Sequence, residues 1–145
     1  MTEYEELPPR LKEALLTKAK AHSPFWQMLD LDLIEVKKGY AKTKIPYSKT
    51  LHNANGVVHG GVIFSAADTA VAIALVGMVG RGDALTTIEM KINYLKPFDR
   101  GEITAEAKII HIGSQTAIGD VDVWDSNGNL VAKAISTYAI KRKDN

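Results

Sequence analysis

The chain has 145 residues, 46% hydrophobic and 24% charged, with 18 Lys and Arg against 17 Asp and Glu for a formal net charge of +1. That size and balance fit one globular domain and exclude a basic stripe for nucleic acid. The chain has no cysteine, which excludes disulfides, thiolate nucleophiles and thiolate metal ligands, and a cytoplasmic setting is expected.

The acidic start, Met1 to Glu6, has no apolar run behind a basic segment, so no secretory signal is expected. Pro8 and Pro9 open a predicted short helix to about His22, with Leu11, Ala14 and Leu15 on one face. This N-terminal segment, residues 1–24, leads into the main body, residues 25–145, of a single-domain chain. Strands are predicted over Leu31 to Val36 and Tyr40 to Tyr47, around a Lys37-Lys38-Gly39 turn. Ala41, Thr43, Ile45 and Tyr47 alternate there with Lys42 and Lys44, which gives a hairpin one wet face.

A polar, glycine-broken loop then runs into a long apolar helix, predicted from about Gly60 to Val79 and ended by Gly80-Arg81-Gly82. Strands follow. Ile88, Met90, Ile92 and Tyr94 alternate before Pro97, and Ile103, Ala105, Ala107 and Ile109 alternate after Gly101. Ile118, Val121 and Val123 precede the turn-forming Asp125-Ser126-Asn127-Gly128-Asn129, and a last strand covers about Leu130 to Lys141. The expected class is α+β, with an antiparallel sheet. A helix apolar on most sides must be covered almost all round, so the sheet is expected to curve strongly around it. The Val62 to Val79 run has the minimum length of a membrane span, but its central Asp68 and many alanines point to a helix wrapped by protein.

Asp68 is the chemical oddity of that helix. An ionised carboxylate among Ala, Val, Ile and Leu is costly to bury unless it is paired, hydrogen-bonded or at work, and poor solvation raises its basicity. A structural carboxylate satisfied by a nearby threonine or backbone group is the alternative. Gly60, at the helix start, offers an N–H with partial positive charge and no side chain to keep a carbonyl away. Other chemistries find no support. Ser65 lacks a Gly-x-Ser-x-Gly elbow, and His22, His52, His59 and His111 have no familiar metal spacing. No phosphate-binding glycine loop is present, so neither a metal nor a nucleotide cofactor is expected.

Asn53, His59-Gly60-Gly61 and Asp68, followed by Thr86-Thr87-Ile88-Glu89-Met90-Lys91-Ile92-Asn93-Tyr94-Leu95-Lys96-Pro97, resemble the hotdog-fold acyl-CoA thioesterases of the PaaI type. The likeness runs over about residues 25–141. It implies a hotdog fold, a curved antiparallel sheet around the central helix, and hydrolysis of acyl-CoA thioesters, with coenzyme A as part of the substrate. It also implies roles. The Gly60 N–H would bind the thioester carbonyl, and Asp68 would activate water or attack directly. Asn53 would orient water or substrate, Thr87 would support the carboxylate, and His59 would hold the loop or polarise the carbonyl. Gly61, Phe64, Arg81 and Lys96 are the candidate substrate contacts, with Arg100 and Lys108 as further cations for coenzyme A phosphates. A non-catalytic acyl-CoA or lipid-binding module is the other reading that this scaffold allows, and a hotdog dehydratase a third.

Gly60 and Asp68 stand eight residues apart, which on one straight helix is about 12 Å along the axis. One carbonyl cannot touch the first while its attacking water touches the second. The expected assembly is therefore a homodimer with antiparallel central helices, able to pair again into a homotetramer. Each of its two sites would combine Gly60, His59 and Asn53 of one subunit with Asp68 and Thr87 of the other.

Overall fold

The central helix decides how everything else is arranged. In the computed structural model, which describes residues 3–144, helix α3 spans Gly60–Val76. It buries Val62, Ile63, Ala66, Ala67, Ala70, Val71, Ile73, Ala74 and Leu75. Around it runs one antiparallel sheet of six strands: β1 (Asp32–Lys37), β2 (Tyr40–Pro46), β3 (Ala84–Tyr94), β4 (Glu102–Ile112), β5 (Thr116–Asp125) and β6 (Leu130–Lys141). Their order across the sheet is β1-β2-β4-β5-β6-β3, so the strand that follows α3 crosses to the far edge. This is the expected hotdog arrangement.

Small residues on both partners let the helix sit close to the sheet. Alanines of α3 meet Ala41, Ala105, Ala107, Ala132 and Ala134 in a fully enclosed core with Ile45, Ile103, Val121 and Val123. At Gly119 of β5, an added Cβ would lie 2.7 Å from Cγ1 of Val71. Buried Thr43 donates from Oγ1 to the Ala66 carbonyl at 2.9 Å, which satisfies its hydroxyl inside that core. On the outward face of the β1–β2 hairpin, Lys42 and Lys44 stay partly exposed, as the alternation requires.

Three expectations are corrected. The helix stops at Val76 rather than Val79, because the N–H of Gly39 in the β1–β2 turn takes the Ala74 carbonyl at 2.9 Å and Met78 turns to Leu75 instead. The helix is also not covered all round. Gly61 is exposed, and Phe64, Ser65, Asp68, Thr69, Ala72 and Val76 are only half-buried, which leaves an open stripe at helical spacing. Asp68 stands on that stripe and is not sealed in the core. Third, the N-terminal segment holds more than one helix. Helix α1 covers Pro9–Lys18, a single turn follows at Lys20–His22, and helix α2 covers Pro24–Leu29. Six residues are too few for a helical period to show in sequence. Asp30, in the left-handed conformation at φ 53°, ends α2 and turns the chain into β1. Leu7 is buried in the same core as the rest, so the N-terminal segment packs on the main body. No helix among the described residues is long and apolar enough to cross a membrane.

Candidate functional site

The loop before α3 is pinned by its own polar groups. Asn53 accepts the Asn55 and Val57 N–H groups on Oδ1, at 2.8 and 3.4 Å, and Gly56 supplies the positive φ of 81° that this turn needs. Further along, the Val58 N–H donates to Phe98 and that of His59 to Leu51. These bonds fix where α3 begins. His59 is its N-cap, accepting the Gly61 N–H on Nδ1 at 2.8 Å, so the ring proton of the neutral imidazole is on Nε2. The Gly60 N–H donates to no group among the described residues, and it sits at the positive end of the helix dipole.

Tyr94, at the end of β3, lies against this start. Its hydroxyl donates to the Gly60 carbonyl at 2.9 Å, and a Cβ at residue 60 would come 3.0 Å from its ring. A side chain at residue 60 would have to push that ring aside by a few tenths of an ångström. A cavity of about 370 Å³ opens beside it, walled by Asn53, Gly60, Ile63, Tyr94, Lys96 and Phe98. On the other side of the helix start, His59 and Gly61 line a second cavity of about 320 Å³ with Phe25, Leu51 and Ser65.

Asp68 belongs to a different cluster. Its Oδ1 accepts the Thr87 hydroxyl at 2.8 Å and the Tyr138 hydroxyl at 2.7 Å, while the Tyr138 oxygen also lies 2.9 Å from the Asp68 carbonyl. Oδ2 receives no hydrogen bond among the described residues. Thr87 and Tyr138 face each other directly across the β3–β6 ladder, and the register shifts immediately after Thr87. Burial first, then the neighbouring Asp68 carboxylate, hold the Tyr138 phenol well above the usual tyrosine range, so it remains a donor.

The structure thus groups the expected residues in two places on one chain: Asn53, His59, Gly60, Gly61 and Lys96 at the start of α3, and Asp68 with Thr87 two turns on. Phe64 stands between them on the open stripe. Arg81 lies past the far end of α3, against a cavity of about 760 Å³ with Pro8, Leu11 and Val76. Arg100 pairs with Asp99 at 3.1 Å and Lys108 with Glu106 at 3.6 Å. Tyr94 and Tyr138 are the residues that sequence reasoning missed. Tyr138 had a signal, since it shares the inward phase of β6 with Ala132, Ala134, Ser136 and Ile140, and an inward tyrosine needs a partner for its hydroxyl. Among the described residues no group of three or more His, Cys, Asp or Glu side chains could hold a metal ion.

Residues 55–132 match the model of the thioesterase superfamily. Over 97% of its length the chain is 31% identical to a Saccharolobus solfataricus protein named "Putative esterase", covering 93% of that protein. It is 26% identical to the 1,4-dihydroxy-2-naphthoyl-CoA hydrolase of Listeria monocytogenes, over 81% of this chain and 95% of that one. Among solved structures, the PaaI protein of E. coli, from the phenylacetic acid degradation operon, superposes with a TM-score of 0.77 at 27% identity, over 92% of this chain and 96% of that one.

Proposed function

Since this chain belongs to the thioesterase superfamily, and is therefore a thioester hydrolase, we propose that it cleaves acyl-CoA thioesters to the free acid and coenzyme A in a site shared by two copies of itself. One observation carries the proposal. On a helix stripe that the sheet leaves open, Gly60 with an unused N–H and Asp68 with an unused carboxylate oxygen are eight residues apart, about 12 Å along the helix axis and too far to serve one carbonyl from the same chain. An antiparallel partner helix across the stripe would bring the Asp68 of one copy beside the Gly60 of the other. The free edge of β3 supports such pairing, because no strand among the described residues lies beyond it and Ile88 on it is 55% exposed.

In that composite site the thioester carbonyl accepts the Gly60 N–H. Oδ2 of Asp68 takes a proton from water as the water oxygen bonds to the carbonyl carbon, and negative charge gathers on the carbonyl oxygen against the helix start. Collapse breaks the C–S bond, and the proton held by Asp68 passes to the departing thiolate. Direct attack by Oδ2 is the other route, in which an anhydride of Asp68 forms, coenzyme A leaves, and water then cleaves the anhydride. His59 presents Nε2–H and Asn53 its amide NH₂ to the substrate or water. Lys96 and Phe64 are the proposed contacts for the substrate's two arms. Antiparallel pairing also carries the Arg81 end of one helix towards the Gly60 end of the other, where a cation suits the coenzyme A phosphates.

A panel of acetyl-, hexanoyl-, palmitoyl- and benzoyl-CoA tests the reading by thiol release. Wild type is expected to cleave at least one of them, and Asp68→Asn to lose about 10²- to 10⁴-fold in kcat. Binding without cleavage across the panel would replace catalysis by a binding module. Full activity in Asp68→Asn would remove the carboxylate from the mechanism.

A further inference from the structure

Tyr138 is a buried phenol, 3% exposed, that spends its hydroxyl on one aspartate. We infer that Tyr138 is a positioning residue, which together with Thr87 clamps Oδ1 of Asp68 and leaves Oδ2 as the oxygen that meets water or thioester. The inference rests on the role of Asp68 proposed above and deepens it.

Three observations carry it. First, two hydroxyl donors at 2.7 and 2.8 Å converge on Oδ1, and an acceptor oxygen with both lone pairs engaged has no remaining site for the proton of a water. Second, the Tyr138 oxygen lies 2.9 Å from the Asp68 carbonyl as well, so the one proton of the phenol is shared between the main-chain oxygen and the nearer side-chain oxygen of the same residue. The rotation of the carboxyl group about its last bond is thereby fixed, which removes an orientational cost from the reacting geometry. Third, the donors are an opposed pair on adjacent strands, and the bulge at Ile88 lets Thr87, Met90 and Ile92 all turn inward although the first two are three residues apart. The bulge aims the threonine at the helix. Among the described residues Tyr138 is the one titratable side chain bonded to Asp68, with Thr87 its neutral companion.

A tyrosine that only filled the core would not distinguish kcat from KM. Tyr138→Phe keeps the ring and removes the hydroxyl. The member of the same panel that wild type cleaves fastest is the probe, and circular dichroism with thermal melting confirms the fold. The expected result is a kcat lowered roughly 10- to 100-fold, the usual worth of a hydrogen bond to a charged group, with KM within about twofold of wild type. Thr87→Val should fall in kcat in the same way, and Thr87→Ser, which restores a donor, should recover most of it. A folded Tyr138→Phe with wild-type kcat, or with KM alone raised, overturns the inference while an inactive Asp68→Asn leaves the thioesterase reading standing. If Tyr138→Phe fails to fold, Thr87→Val decides, since it removes the companion donor from a half-buried edge-strand position. Wild-type kcat in Thr87→Val then overturns the clamp. Full activity in Asp68→Asn overturns both readings together.

Discussion

His59 closes the start of α3 by accepting the Gly61 N–H on Nδ1, and the same bond leaves Nε2–H as a donor facing outward. The cap also explains Gly61, where a Cβ would lie 2.9 Å from that Nδ1. Capping and donation separate by substitution. His59→Ala should lose about 1 kcal/mol of stability, because a helix N–H goes unpaired. His59→Asn restores a good cap and should melt near wild type while kcat stays lowered, since the Nε2–H is absent. Melting curves and kcat measured side by side check this, and wild-type kcat in His59→Asn would reduce the residue to its cap. The residue scale is also where sequence reasoning reached furthest and missed most. Asp68 and Gly60 stand out by residue type and position, Asn53 by its spacing and Thr87 through the family resemblance, whereas Tyr94 and Tyr138 reach their partners across 34 and 70 residues of chain.

At the scale of elements, α3 and the sheet are held together by smallness. Gly119 shows it, because Cγ1 of Val71 occupies the space its Cβ would need, at 2.7 Å. Gly119→Ala should therefore overpack the contact and cost about 1–3 kcal/mol, read as a melting temperature lowered by several degrees. An unchanged melting temperature would mean that helix and sheet separate more easily than their packing implies. The strands were legible because their period of two repeats over seven to twelve residues, with inward Ala, Val and Ile against outward Lys, Asp and Glu. The end of α3 was not, since the hydrogen bond that stops it comes from Gly39, outside the helix and remote in sequence.

For the whole molecule, the open stripe on α3 and the free edge of β3 are the two surfaces on which the proposed pairing rests. The composite site predicts complementation. Gly60→Pro removes the N–H at a first-turn position where helices accept proline and also presses on the Tyr94 ring, and Asp68→Ala removes the carboxylate, so each homodimer should be inactive. Mixed and exchanged one to one, half of the dimers are hybrids with one intact site of two, and about a quarter of wild-type activity should return. Absence of recovery after proven subunit exchange would place the whole site within one chain. Analytical ultracentrifugation distinguishes the dimer from the expected homotetramer.

The sequence by itself determined the strands, the existence of the long helix, the α+β class and the polar residues at the start and middle of that helix, because local periodicity, turn chemistry and residue type are written in neighbouring positions. It also implied, through the fixed rise of a helix, that Gly60 and Asp68 cannot share a substrate within one chain. Only the tertiary structure decided which face of α3 the sheet leaves open, that Asp68 lies on that face, and that Thr87 and Tyr138 meet on one of its oxygens. Those outcomes depend on strand order and on the bulge at Ile88, which arise from pairings between distant segments that no local pattern encodes.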